Sequence, residues 1–248
     1  MKALILCAGE GSRLRPLTQI LPKPMVEVGG TPMVVRRILA LKTAGIREFV
    51  INTAHGSGLL EAMLGDGSQW GVHIRFSHEG ECSAEALETL GGIAKALPML
   101  TDRAEESFIV TAGDLVTDYP WQRLLKRGEH LGELGLDAHL VLVPNPSYHP
   151  EGDMGLTEDS QVTRATRTYT FASFGVYRAE LFQNIKPVRA KLFPWLWQSV
   201  DAGRVSGELY KGLWLNVGDF DELERAEEEL SKRKSSSSGA KLPSSRLE

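Results

Sequence analysis

The chain has few of the features that would settle its class at once. It has only two cysteines in 248 residues, Cys7 and Cys82. That is too few for a disulfide framework and implies free thiols in a reducing compartment. No apolar run approaches the roughly 20 residues that cross a bilayer. The short apolar opening of residues 1–7 is followed at once by Glu10, Arg13 and Arg15, which excludes a secretion leader reading. A net charge of −4 and a pI near 5.9, with basic residues scattered, argue against a nucleic-acid surface. The six histidines show no metal-ligand spacing. No hexapeptide repeat follows the first two hundred residues, so no β-helix is expected at the C-terminal end.

Two familiar glycine loops are also missing. In Gly9-Glu10-Gly11-Ser12-Arg13-Leu14, leucine stands where a dinucleotide fingerprint needs its third glycine. No Gly-Lys-Ser/Thr occurs, so a Walker loop is excluded. What the chain does have is Leu4-Ile5-Leu6-Cys7-Ala8-Gly9 running into Gly11-Ser12-Arg13, then Pro22-Lys23-Pro24. This reads as a buried strand opening into a loop whose N–H groups can approach an anion. Arg13 supplies a planar fork and Lys23 a point charge. Together they predict a nucleoside triphosphate site.

Strand-like and helix-like segments alternate through the first half. Strands are expected at residues 2–7, 48–52, 72–76 and 107–111, with helices at 33–43, 59–64 and 87–97. Such alternation predicts a mostly parallel sheet covered on both faces, with ligands at the carboxyl ends of the strands. The second half is less regular. Strands are expected at 137–143, 171–177, 205–209 and 214–217, with a hairpin of 154–157 and 161–165 around Asp159-Ser160. Helices are expected at 179–182, 193–203 and 219–232. One domain over 1–232 is expected, with residues 1–118 holding the nucleotide site and 119–232 forming a second half. A serine-rich disordered tail is expected from residue 233, and its final Leu247-Glu248 resembles a cloning scar.

The extended pattern from Leu6 to Thr18, followed by Pro22-Lys23-Pro24-Met25, resembles the signature of the sugar-1-phosphate nucleotidyltransferases. Matching residues continue through Ile51-Asn52, Glu79-Gly80-Glu81, Leu87-Glu88-Thr89, Gly113-Asp114 and Thr168-Tyr169-Thr170-Phe171 to Trp214-Leu215-Asn216-Val217-Gly218. Within that family the chain resembles the short bacterial N-acetylmuramate-1-phosphate uridylyltransferases of peptidoglycan recycling.

The resemblance implies a three-layer α/β/α sandwich with a mostly parallel mixed sheet. This is a Rossmann-like, GT-A-type fold without a C-terminal β-helix. It also implies a cytoplasmic, Mg²⁺-dependent enzyme, monomeric or a small homo-oligomer. Its substrates would be UTP and a sugar 1-phosphate. Mannose 1-phosphate with GTP, phosphocholine with CTP or another such pair is the alternative, and a nucleotide-binding module with little turnover the alternative class. Arg13, Lys23 and Asp114 carry the implied catalysis. Leu6, Ala8, Gly9, Gly11, Ser12, Glu79, Gly80, Glu81, Gly91 and Gly113 join Arg13 and Lys23 as the implied nucleotide contacts. Asp153, Gly155, Thr168 and Thr170 are the sugar candidates.

Two departures from the family stand out. Metal binding is implied for Asp114 and for position 216, where the family has aspartate and this chain has Asn216, with Asp219 as a possible substitute. The base-reading segment carries about four extra residues between Glu81 and Gly92. There Leu90 replaces a glycine and is expected to narrow the pocket.

Overall fold

The computed structural model describes residues 1–54, 56–82 and 84–238. Seven strands form the central sheet: β1 (Ala3–Leu6), β2 (Glu48–Thr53), β3 (His73–His78), β4 (Ser107–Ala112), β5 (Ala138–Pro144), β6 (Tyr169–Arg178) and β7 (Val205–Leu209). Their spatial order is β7-β5-β6-β4-β1-β2-β3. The β1–β2, β1–β4, β2–β3 and β5–β7 pairings are parallel. Only β6 runs the other way, antiparallel to both β4 and β5. The sheet is therefore mixed and mostly parallel.

Alternation along each strand feeds two cores. Ala3, Ile5, Phe49, Ile51 and Ile109 face one side, where helices α1 (Met33–Thr43), α2 (Ser57–Leu64) and α4 (Gln122–His130) cover them with Ile38, Leu60 and Leu124. Leu4, Val50, Phe108 and Val110 face the other side, under Leu90, Ile93 and Leu100 of α3 (Glu88–Leu100). Short helical turns at Leu192–Trp195 and Trp197–Asp201 extend that second layer. A third cluster, with Val28, Val116, Val217 and Ala226, seats the last helix, α5 (Phe220–Ser238). Among the described residues no helix is long and apolar enough to cross a membrane.

Several sequence expectations change. Residues 233–238, expected to be disordered, continue α5, and 239–248 lie outside the described residues. Arg233 fixes the extension by pairing with Asp118 at 2.5 Å, an anchor that apolar periodicity cannot register. The expected helix at 193–203 breaks at Phe193, whose backbone is extended before Pro194. The helix Gln122–His130 is not among the expected elements, because its charged residues disguise the inward Leu124. Leu90, expected beside the nucleotide, is 4% exposed and points into the α3 core, so it does not narrow the cleft.

Both cysteines are free, Cys7 buried and Cys82 exposed. Burial pushes the Cys7 thiol well above its ordinary pKa, and the charge of Asp114 adds to the shift. Alkylation of the native protein near pH 8 is expected to modify one thiol, Cys82, and of the denatured protein both. Mass spectrometry reads the count, and native labelling of Cys7 would contradict its placement.

Candidate active site

The ends of β1, β2 and β4 open into a cavity of about 580 Å³. Lys23 and Asp114 meet there, Nζ to Oδ2 at 2.5 Å, and both side chains are largely shielded from solvent. Two segments far apart in sequence are thus joined by one ion pair. Lys23 arrives on a short 3-10 turn, Lys23–Met25, entered through Pro22. Asp114 follows β4 directly and begins the ribbon in which Leu115–Thr117 pairs antiparallel with Trp214–Asn216.

The two glycines of the loop differ in function. A Cβ on Gly9 would meet nothing within 4 Å, so protein packing does not require glycine there. Its backbone faces the cavity, where open space is left for a ligand. Gly11 is left-handed at φ +67°, and a Cβ there would come within 2.8 Å of the Lys23 side chain. Thr18 Oγ1 donates to the Gly11 carbonyl at 2.9 Å. Gly11 therefore shapes the loop around Lys23 and does not line the cavity. Gly113 is likewise a packing glycine, since a Cβ would lie 2.7 Å from Cys7 Sγ.

A buried hydrogen-bond chain builds the opposite wall. Asn52 Oδ1 accepts from the Cys7 N–H at 2.7 Å, and Asn52 Nδ2 donates to Glu79 Oε1 at 2.6 Å. Glu79 Oε2 accepts from the Leu87 N–H at 2.7 Å. The carboxylate of Glu79 is thereby spent on the scaffold. Gly92 must lack a side chain because a Cβ would strike Glu79 Oε1. Gly80 packs on Glu85 of the inserted loop, Gly91 packs on the Val188 carbonyl, and Glu81 is exposed. None of these three lines the cavity; Ala86, Glu88 and Thr89 do.

Of the expected nucleotide residues, Leu6, Ala8, Gly9, Lys23 and Glu79 come together at the cavity with Asp114. Ser12 and Arg13 lie outside it and are exposed. Arg13 Nη1 sits 3.5 Å from Asp219 Oδ2. Asp219 Oδ1 also accepts from the Glu222 N–H at 3.0 Å, capping α5. Asp219 is thus committed to a cap and an arginine, away from the Lys23–Asp114 pair. Asn216 lines a side compartment with Tyr148, His149, Asp153, Thr170 and Ser173. The Val217 N–H to Asp114 carbonyl bond, 3.1 Å, keeps that compartment next to Asp114.

Among the sugar candidates, Asp153 and Thr170 line clefts that adjoin the main cavity. Asp153 accepts from the Phe171 N–H at 2.9 Å and faces His149 at 3.0 Å. Gly155 is buried against Thr166, and Thr168 is exposed outside the clefts.

Three features were not expected from sequence. Ser173 lines all three compartments, at a bulge where the β6 register shifts between Phe171 and Gly175. Its φ is +62°, a left-handed conformation that is costly for a serine. Arg189 and Lys191 close the cavity from a loop with no motif of its own, joined by Phe193 from the turn that follows. Arg37 lies buried beneath the site, donating to the Leu115 carbonyl at 3.1 Å with its guanidinium carbon 4.6 Å from the Trp121 ring centre. Burial pulls its pKa down, and the charge of Asp114 partly restores it. Only the serine carried a readable trace, as a polar residue between Ala172 and Phe174 in an apolar strand.

Comparison with known proteins places this geometry. The family model described as Nucleotidyl transferase matches residues 2–233. The N-acetylmuramate alpha-1-phosphate uridylyltransferase of Neisseria meningitidis serogroup B is 42% identical over 231 residues, spanning 92% of this chain and 97% of that protein. The mannose-1-phosphate guanylyltransferase catalytic subunit beta of Danio rerio is 32% identical and aligns with 88% of this chain, which spans 61% of that longer protein. Two solved structures share the fold. HddC from Yersinia pseudotuberculosis, complexed with GMP-PN, superposes with a TM-score of 0.73 at 18% identity, over 92% of this chain and 99% of that one. The inositol-1-phosphate CTP transferase from T. maritima gives 0.72 at 20%, over 94% and 96%.

Ser173→Gly relieves the left-handed backbone and is expected to stabilise the fold by about 1 kcal/mol. Urea denaturation measures it, and a loss of stability would show that the serine side chain is itself a structural contact.

Proposed function

The chain belongs to the nucleotidyl transferase family, and from that premise we propose that it transfers the uridylyl group of UTP to N-acetylmuramate 1-phosphate. The observation that carries the reading is the Lys23–Asp114 pair beside the open backbone of Gly9. The full-length similarity to a uridylyltransferase supports the choice of substrates. An oxygen of the sugar phosphate attacks the α-phosphorus, and the bond from that phosphorus to the β-phosphate oxygen breaks. Pyrophosphate then leaves with the electron pair. Such a transfer needs positioning and charge neutralisation rather than a protein nucleophile.

In this reading Lys23 lies between the α-phosphate and the incoming sugar phosphate and offsets their mutual repulsion. Arg13, on the exposed rim, grips the β- and γ-phosphates and gives up Asp219 as its partner. The backbone at Leu6, Ala8 and Gly9 and the 86–89 segment surround the nucleoside. Asp153 and Thr170 face the sugar. A cytoplasmic role in peptidoglycan recycling accords with these substrates.

The donor set fits a magnesium ion that arrives with the triphosphate. Mg²⁺ keeps several waters and is held by one or two carboxylates plus phosphate oxygens. Asp114 would supply the carboxylate and Asn216 a neutral amide oxygen. Among the described residues there is no cluster of three or more His, Cys, Asp or Glu side chains that could hold a metal ion by itself. When bound, the ion neutralises charge on the phosphate oxygens.

The guanylyltransferase similarity favours a second pair, GTP with mannose 1-phosphate. Asn216 favours a third reading, nucleotide binding with little turnover. Pyrophosphate release is the test, from UTP, GTP, CTP or dTTP with the 1-phosphates of N-acetylmuramate, N-acetylglucosamine and mannose. Selective release from UTP with the muramate sugar is expected. Release from another pair moves the substrate assignment, and UTP binding without release supports the binding module.

Asn216→Asp restores an anionic donor and is expected to lower the half-saturating Mg²⁺ concentration by about threefold or more. A magnesium titration of turnover measures it. An unchanged requirement would remove Asn216 from the metal's surroundings.

A further inference from the structure

The proposed sugar differs from N-acetylglucosamine in one respect, a lactyl ether that ends in a carboxylate. Resting on the proposed substrate, we infer that Arg167 is the residue that recognises this carboxylate, so that the sugar end of the cleft selects acidic sugar 1-phosphates.

Next to the cavity that holds the Lys23–Asp114 pair lies a second compartment of about 490 Å³. Phe171, Ser173 and Phe193 line both, so one substrate can span them. Phe171 and Phe193 meet edge to face at 5.8 Å, and Phe193 packs on Trp197 at 4.7 Å. These rings offer an apolar wall to the face of a sugar and to the methyl of its acetamido group. At the far end stand two arginines, Arg164 and Arg167.

Their charges are not equally available. Arg164 is neutralised by Asp201, Nη2 to Oδ2 at 2.7 Å. Asp153, the compartment's own acid, is occupied by the Phe171 N–H and His149. Among the described residues no carboxylate pairs with Arg167. Its Nε donates to the Gly152 carbonyl at 2.9 Å, which fixes the plane of the guanidinium. The terminal nitrogens of an arginine held in this way are suited to a two-point grip on a carboxylate. A lysine in its place would keep the charge and lose the fork. The substrate's phosphate at Lys23 and its carboxylate at Arg167 would then be bound at opposite ends, with the ring lying along the aromatic wall.

The test compares the full chain with its Arg167→Gln and Arg167→Lys variants, using UTP and either N-acetylmuramate 1-phosphate or N-acetylglucosamine 1-phosphate. The readout is the ratio of kcat/KM for the two sugars. Arg167→Gln is expected to lower that ratio by about ten- to a hundredfold, the range for a hydrogen bond to a charged group, with the change in KM rather than kcat. Arg167→Lys should fall between. In the wild type, added salt should reduce the preference, because an exposed pair is screened. Two results would overturn the inference. If muramate is used but the ratio is unchanged in both variants, or the preference is insensitive to salt, the carboxylate subsite fails and the proposed substrate stands. If the wild type uses only neutral sugars, the substrate assignment and the subsite fail together.

Discussion

The main cavity at the ends of the parallel strands hangs on the buried side chain of Asn52. Its carboxamide is engaged on both sides, accepting from the Cys7 N–H and donating to Glu79, which in turn accepts from Leu87. Through these three bonds the end of β1, the end of β2, the exit from β3 and the approach to α3 take fixed positions. Breaking one member would strand a carboxylate that is only 7% exposed, and an unpaired buried charge costs several kcal/mol. The walls of the cavity are therefore set by a buried polar network that itself forms part of the lining.

A second constraint lies beneath the floor. Lys23 neutralises Asp114 from above, while Arg37, held under the Leu115 carbonyl and against Trp121, supports the same segment from below. The segment that carries Asp114 is thus held by a cation on each side. Arg37 reaches this position because α1 buries one face completely, so that the second of its two arginines is only 2% exposed.

The first half of the chain was the more readable. The helix Met33–Thr43 has the bounds expected of it, since Pro32 opens it, Ala44-Gly45 ends it, and nothing inside interrupts the apolar period. The strands before the glycine loop and before Asp114 were legible as apolar runs closed by glycine. What could not be read depends on contacts remote in sequence. Gly11 and Gly113 look like phosphate glycines, yet it is the side chains of Lys23 and Cys7 that require them. Leu90 looks like a pocket residue until the packing of α3 turns it inward. The serines at the end of α5 have no apolar period, and the helix runs on to Ser238 past the tertiary pair between Arg233 and Asp118. Ser173 takes a backbone conformation that serine rarely chooses, so local propensity points away from it.

The reversed direction of β6 has a consequence for how such an enzyme can change. The parallel strands β1, β2, β3 and β4 present their carboxyl ends to the cleft, but β6 enters it with its opening residues, Thr170 to Ser173. Under the proposed function, the triphosphate would be met by loops that leave strands, and the sugar by a segment that leads into one. The ion pair and the glycine loop belong to the first set, and Thr170, Phe171 and Ser173 to the second. Mutation can redraw the sugar side while the phosphate machinery stays in register. A lineage built on this plan can try new sugars without relearning how to hold a nucleotide.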